Sequence, residues 1–421
     1  MLHIKHATLI DPTAGAERSG DLFVAGGRIV PPPAGGVRAD RVIDAQGLCL
    51  CPGLVDLSAR LREPGFEYKA TLESEMLAAV AGGVTSLVCP PDTDPPLDEP
   101  GLVEMLKFRA RSLKQARVYP LGALTQGLHG ERLTEMAELR DAGCVGFSQA
   151  DAPLVDNRVL ARALAYARTY DFAVWVRPQD AGLARGGVAH DGDVAARLGL
   201  NPIPVSAEVV ALSTLLLLAR EADARVHIAR ISTAAAVDLV RQAKRDRLRV
   251  TCDVAAAHLH LSDMDIGYFD SNFHLVPPLR SLRDRDALRA GVADGTIDAI
   301  CSDHTPVDED AKQVPFGESE PGATGLELLL PLILKWAQDT HVPRAQALRR
   351  VTSEPLRILQ LEGGALAPGA PADLCLFDPQ AWWKVEPAAL RSQGKNTPFL
   401  GLELQGRVHA TLVGGEVVYQ R

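Results

Sequence analysis

The chain has 421 residues, 47% of them hydrophobic and 23% charged, with a formal net charge of −9. That length supports a large core and more than one domain. The acidic balance leaves no electrostatic footprint for nucleic acid or for a polybasic membrane patch. The longest apolar runs, such as ELLLPLIL (Glu327 to Leu334), are too short to span a bilayer. The N-terminus MLHIKHATLIDP lacks a signal-peptide pattern, so a cytoplasmic location is expected. The seven cysteines are scattered through apolar segments, which fits reduced, buried thiols better than a disulfide framework. Cys49 and Cys51, spaced C-x-C with no second pair to complete a zinc site, read as strand residues.

In chain order, the first fifty residues read as short strands broken by Gly and Pro: LHIKHATLI, DLFVAGGRIV and RVIDAQGLCLCPG. RIVPPPAGGVRAD is a Pro/Gly-rich loop. From residue 54 onward, strand and helix patterns alternate. Strands are predicted at 54–58, 84–89, 117–122, 144–148, 173–177, 225–229, 249–254 and 297–302. Amphipathic stretches such as TLESEMLAAVAGG and STAAAVDLVRQAKRD lie between them, the latter opened by a Ser/Thr cap. Eight such units predict a (β/α)8 TIM-like barrel over 52–357. An open doubly wound sheet is the alternative, but no G-x-G-x-x-G follows the first strand. The C-terminal segment returns to strand texture in ADLCLFDP and GRVHATLVGGEVVYQR, where Gly414-Gly415 signals a hairpin. Both ends, 1–51 and 358–421, are therefore assigned to one small β-sandwich domain.

In such a barrel, chemistry sits at the C-terminal ends of the strands. The motifs there are CPGLVDLSARLREPGFEYKATLES, AGGVTSLVCPPDTDP, RVHIARIST, GTIDAICSDHTPV and KNTPFLG, followed by LAPGAPADLCLFDP. In this order they resemble the signatures of the dihydroorotases of the amidohydrolase superfamily over nearly the whole chain. The resemblance implies a zinc site at the barrel mouth, with metal-bound water attacking a cyclic amide. It also locates the ligand positions, and there the chain departs. The His-x-His positions are Ser58 and Arg60. The bridging acidic or carbamylated-lysine position falls at Gln149 and Ala150, with Asp151 the nearest carboxylate. The fifth-strand histidine is Arg177 and the sixth-strand histidine is Arg230. His227 lies three residues earlier, where odd spacing predicts the opposite strand face. The eighth-strand Asp survives as Asp303, with His304 beside it. Of the residues that would hold substrate, Arg62 and Asn272 match, while Asp92 stands where the family has Asn and would repel a carboxylate.

A guanidinium has no lone pair to offer a metal. At an effective dielectric of ~20 and ~5 Å, each arginine would repel a divalent cation by roughly 6–7 kcal/mol. Zinc is therefore predicted lost, and no cofactor is expected. The three arginines could form an anion site. The plainer alternative is an internal ion-pair network with Asp56, Asp180 and Asp303, since buried charges must be paired. His258 and His260 form an H-x-H that reads as capping or solvent contact rather than a zinc site. Trp382-Trp383 reads as a partner contact or as packing over the small domain, and VDEDAK (Val307 to Lys312) as a solvated charge run.

The chain most resembles the inactive dihydroorotase-like proteins that accompany aspartate carbamoyltransferase in some bacteria. That resemblance implies a non-catalytic structural subunit in pyrimidine biosynthesis, partnered by the carbamoyltransferase catalytic chain and homo-oligomeric within a larger complex. Two other classes stay open. One is a metal-poor amidohydrolase using Asp303 as base. The other is an anion-binding regulatory module built on Arg60, Arg177 and Arg230.

Overall fold

The structure, a computed structural model, describes residues 1–33 and 39–421. Part of the Pro/Gly-rich loop, residues 34–38, lies outside the described residues.

Eight parallel strands follow one another in a single sheet: β1 (Leu54–Asp56), β2 (Val84–Cys89), β3 (Arg117–Ala123), β4 (Gly146–Ser148), β5 (Ala173–Val176), β6 (Arg225–Ile228), β7 (Val250–Ala255) and β8 (Ala299–Cys301). Each of the eight predicted runs contains or overlaps one of them. Their near-continuous apolar character follows from burial on both faces, as in β2, where all six residues are buried. Sequential neighbours pair in register, for example Trp175 with His227 and Val254 with Ile300. The ring closes just beyond the ends of β1 and β8. There Ala59 bridges His304, Arg60 N donates to His304 O at 2.8 Å, and His304 N donates to Ser58 O at 3.1 Å. Closure therefore runs through the very residues where the ligand motifs have changed.

Helices pack around the ring, and their starts follow local chemistry. Helix Leu72–Ala81 opens with a capping box between Thr71 and Ser74. Helix Ala234–Arg245 is capped by Thr233, whose hydroxyl accepts from Ala236 N. Leu356, Ile358 and Leu359 of helix Ser353–Leu359 pack with Val55, Leu121 and Trp175 in a core cluster of their own.

Both chain ends build one mixed sheet. Its order is Glu416–Gln420, Glu403–Val413, Leu374–Lys384, Cys49–Pro52, Leu2–Asp11, Ala16–Ala25, Arg28–Val30, with Arg41–Asp44 pairing parallel to Leu2–Asp11. Gly414 and Gly415 sit at φ 58° and 82°, the left-handed pair that a two-residue hairpin turn requires. Trp383 packs within this region and donates Nε1–H to Gly406 O at 3.2 Å, whereas Trp382 remains exposed. All seven cysteines are buried and free.

The junction between sheet and barrel is close-packed at Gly83. It sits at φ 81°, and an added Cβ would lie 2.5 Å from Cys375 Sγ and 3.3 Å from Val408 Cγ2. Gly83→Ala should therefore destabilise the protein by about 2–4 kcal/mol, from left-handed strain plus overpacking. A clear drop in thermal unfolding midpoint is the expected reading, and an unchanged midpoint would contradict this packing.

Candidate active site at the barrel mouth

Each motif residue is carried to the mouth by the end of a strand. Ser58 and Arg60 follow β1, Ala150 and Asp151 follow β4, Arg177 follows β5, Arg230 follows β6 and Asp303 follows β8. Ala150, Arg230 and Asp303 have positive φ (51°, 55° and 50°), as does Arg62 at 62°. Each such residue costs on the order of 1–2 kcal/mol, and strained positions of this kind concentrate at functional sites.

The three arginines converge on carboxylates. Asp151 is the hub. Its Oδ1 accepts from Arg230 Nη2 at 2.6 Å and from Arg177 Nε, and its Oδ2 accepts from Arg60 Nη2 at 2.6 Å. Arg60 also donates Nε–H to Asp92 at 2.8 Å and Nη1–H to Thr305 Oγ1 at 3.0 Å. Arg230 reaches Asp303 Oδ1 at 2.8 Å, where the Ser58 hydroxyl also donates at 3.2 Å. Arg177 donates to Gln179 Oε1 at 2.6 Å. Three guanidinium groups thus meet three carboxylates, and the arginine side chains are only 5–6% exposed.

The internal network expected from the sequence is present, but two of its three expected acids are not in it. Asp56 lies apart, accepting from Ser302 N at 2.8 Å and from the Ser302 hydroxyl. Asp180 caps a turn by accepting from Leu183 N at 2.8 Å. Their places are taken by Asp92 and Asp151, which arrive on the loops after β2 and β4. Asp92, read from sequence as a group that would repel a substrate carboxylate, neutralises Arg60.

Other site residues also separate from their expected roles. Gln149 is buried as a scaffold residue. It accepts from Thr125 Oγ1 at 2.9 Å and donates to Leu128 O at 2.7 Å. His304 is fully buried and points away from the mouth. Its Nε2 lies 2.5 Å from Glu75 Oε2, and its Nδ1 accepts from Gly325 N at 3.0 Å. His227 does not lie on a face opposite Arg230, because its ring packs on Trp175 inside the barrel, below the mouth that the Arg230 side chain enters, and the Arg230 main chain reaches the same Asp253. His227 Nε2 is 3.1 Å from Oδ2, and Arg230 N donates to Oδ1 at 2.6 Å. Strand alternation fails here because β6 stops at Ile228 and Arg230 is left-handed. His260 is the C-cap of the turn Ala256–Leu259, with its N donating to Ala257 O, whereas His258 is buried and neither a cap nor a solvent contact. Their Nε2 atoms bond the carbonyls of Pro277 and Leu332 at 3.1 and 2.9 Å, and burial pushes both rings down to about 4. Arg62 donates Nε–H to Pro306 O at 2.7 Å and lines the mouth cavity, whereas Asn272 lines a separate cavity beside Lys69 and Lys312. Lys312, expected in solvent, is partly buried and donates to Ser271 O at 2.9 Å.

Electrostatics follow from this wiring. Burial opposes the charge on Asp151, but Arg230, Arg177 and Arg60 outweigh it and hold the carboxyl far below the usual range. Asp303 is different. Burial raises it, and Arg230 and Arg60, already committed to Asp151, do not offset that push. Asp56 is raised by burial to about 6 despite its bonds from Ser302.

A cavity of 250 Å³ remains at the mouth, lined by Arg60, Arg62, Asp151, His258, Asp303 and Glu320 among others. Its donor set does not fit a divalent cation, because guanidinium groups alternate with the carboxylates that could ligate one. Among the described residues, no group of three or more His, Cys, Asp or Glu side chains is placed to hold a metal ion.

Residues 47–236 match the Dihydro-orotase-like family and residues 171–419 the Amidohydrolase family. The chain is 45% identical to a dihydroorotase-like protein of Pseudomonas aeruginosa, over 100% of this chain and 99% of that one. It is 47% identical to a dihydroorotase-like protein of Pseudomonas putida over 99% of each, and 41% identical over the full length of both to a dihydroorotase of Pelobacter propionicus. Among solved structures, L-hydantoinase (dihydropyrimidinase) from Arthrobacter aurescens superposes with a TM-score of 0.89 at 23% identity, covering 100% of this chain and 96% of that one. At that identity the likeness establishes the fold.

Two measurements test the site. Asp151→Asn leaves three guanidinium groups short of their shared partner, and should cost about 2–4 kcal/mol, the value for a broken buried pair reduced for partial exposure. An unchanged thermal midpoint would contradict the hub. Asp56 carries a folded pKa above its unfolded value near ~4, so the folded state binds the extra proton between about pH 4 and 6. Stability should fall as pH rises through that window, by on the order of 3 kcal/mol. Asp56→Asn should flatten that dependence in denaturant melts across the window, and a retained slope would assign it to another group.

Proposed function

Because the chain belongs to the dihydroorotase-like proteins of the amidohydrolase superfamily, we propose that it is a non-catalytic member serving as a structural subunit of an aspartate carbamoyltransferase complex in pyrimidine biosynthesis. The observation that carries this reading is the arrangement at Asp151. The family's ligand positions hold arginines, and these arginines are already satisfied by internal carboxylates. Left-handed backbone at Ala150, Arg230 and Asp303 turns the chain where it leaves the strands, a strained geometry retained although arginines stand at the ligand positions. A mouth of this kind keeps the scaffold, while the guanidinium donors that could polarise an amide are spent on internal carboxylates. Within this reading, residues 1–51 with 358–421 form the small β domain and 52–357 the barrel. Ser58, Arg60, Gln149, Ala150, Arg177 and Arg230 are degenerate ligand positions, and Arg62, Asp92 and Asn272 are vestiges of substrate binding. The carbamoyltransferase catalytic chain as partner, a homo-oligomeric arrangement and a cytoplasmic location rest on the resemblance of the sequence. No helix among the described residues is long and apolar enough to cross a membrane.

A second reading, a metal-poor hydrolase, has one observation in its favour: Asp303 lines the cavity, and burial raises its carboxyl. Against it, Oδ1 of Asp303 is taken by Arg230 and Ser58, and His304 faces Glu75 instead of the cavity. The anion-module reading is weaker still, since Arg60, Arg177 and Arg230 each already spend donors on aspartates.

The test is zinc content after incubation with excess metal and desalting, with dihydroorotate turnover on the same sample and co-elution with the carbamoyltransferase catalytic chain. The expected result is no retained zinc, no turnover and a stable complex. Stoichiometric zinc with turnover would sink the proposal. Turnover without zinc that Asp303→Ala abolishes would instead establish the second reading.

A further inference from the structure

Outside the mouth, a cavity of 190 Å³ opens where the C-terminal strands meet helix Leu329–Thr340. Three arginines line it. Arg407 comes from strand Glu403–Val413, Arg391 from the segment after Pro387–Ala389, and Arg421 follows strand Glu416–Gln420. Trp383 and Tyr419 form aromatic walls, and the Arg407 guanidinium lies 5.5 Å from the Trp383 ring centroid. This is the second half of the Trp382-Trp383 pair, which the barrel mouth does not use.

The charges here are arranged unlike those at the mouth. Among the described residues no side-chain carboxylate lies within ion-pair distance of these three guanidinium groups, although the same strand edge pairs Lys384 with Glu386 at 3.1 Å. Glu327, the acid in the wall, accepts instead from backbone: Arg391 N at 2.8 Å and Ser392 N at 3.1 Å. Burial raises its carboxyl above the usual range, against the bonds from Arg391 N and Ser392 N that lower it. Arg407 is lowered by desolvation and then by Arg421, with Arg391 adding to that push and Tyr419 and Glu327 opposing it, so the guanidinium groups lie close enough to repel one another. In a chain of net charge −9, such a cluster is a position where an anion from outside lowers the energy. Guanidinium groups grip phosphate by charge-assisted, bidentate hydrogen bonds.

We propose that the Arg391, Arg407 and Arg421 cavity, with its Trp383 wall, is a binding site for a phosphate or diphosphate group. Inorganic pyrophosphate and a nucleoside diphosphate share that chemistry, and the aromatic wall distinguishes them. The experiment is calorimetric titration of the full chain with pyrophosphate and with ADP at matched ionic strength. It is repeated on Arg391→Ala, Arg407→Ala and Trp383→Leu, with thermal midpoints confirming folded variants. Saturable binding weakened about tenfold or more by each arginine variant is expected. Equal affinity for the two probes, unaffected by Trp383→Leu, assigns the site to the phosphate group alone. Tighter ADP binding that Trp383→Leu removes assigns it to a nucleotide. No saturable binding of either probe, or binding that both arginine variants leave unchanged, overturns the proposal. Neither result depends on the state of the barrel mouth.

Discussion

One carboxylate, Asp151, receives three guanidinium groups, and the arrangement of the mouth depends on it. Taking an arginine out of water costs several kcal/mol, which is recovered only when partners are close and well aligned. Arg60, Arg177 and Arg230 come from three different strand ends and meet at this one side chain. Asp92 and Asp303 complete the neutralisation from two further strand ends. The network therefore links six of the eight strand ends across the mouth. Removing any one member leaves the rest with uncompensated charge, so the cluster behaves as a unit.

The barrel explains why charges gather there at all. Parallel strands deliver the residues that follow them to one rim, and left-handed turns at Ala150, Arg230 and Asp303 redirect the chain as it leaves the strands. That geometry concentrates whatever side chains it is given. Imidazoles and carboxylates there would make a metal centre. Guanidinium groups and carboxylates make a closed ion-pair lattice. The backbone scheme is shared with the hydantoinases, and the outcome is decided by the side chains.

The same lattice separates three aspartates that sequence alone would treat alike. Asp151, surrounded by arginines, is held ionised. Asp303 shares those arginines and is raised by burial. Asp56, bonded by Ser302 and outside the arginine network, is raised by burial to about 6. Their differences are set by which cations lie within a few ångströms, and that is a property of the assembled rim.

Much of this was legible in the linear chain. Apolar runs spaced by amphipathic stretches located all eight barrel strands, because burial on both faces imposes a continuous hydrophobic pattern. Strand texture at both ends located the elements of the shared sheet. The loss of metal-ligand chemistry at Ser58, Arg60, Arg177 and Arg230 was visible too, since it depends only on residue type at motif positions. The identity of the arginines' partners was not. Asp92 and Asp151 stand on different loops and look unremarkable in sequence, while Asp56 and Asp180 are near the motif arginines in the chain and distant from them in contact. Alternation misassigned His227 because a left-handed residue ended the period. Residue chemistry and hydrophobic period are local and can be read along a chain. Hydrogen bonds and ion pairs across a barrel mouth join residues far apart in the chain, 245 positions for Arg60 and Thr305, and only the closed tertiary structure decides which of them meet.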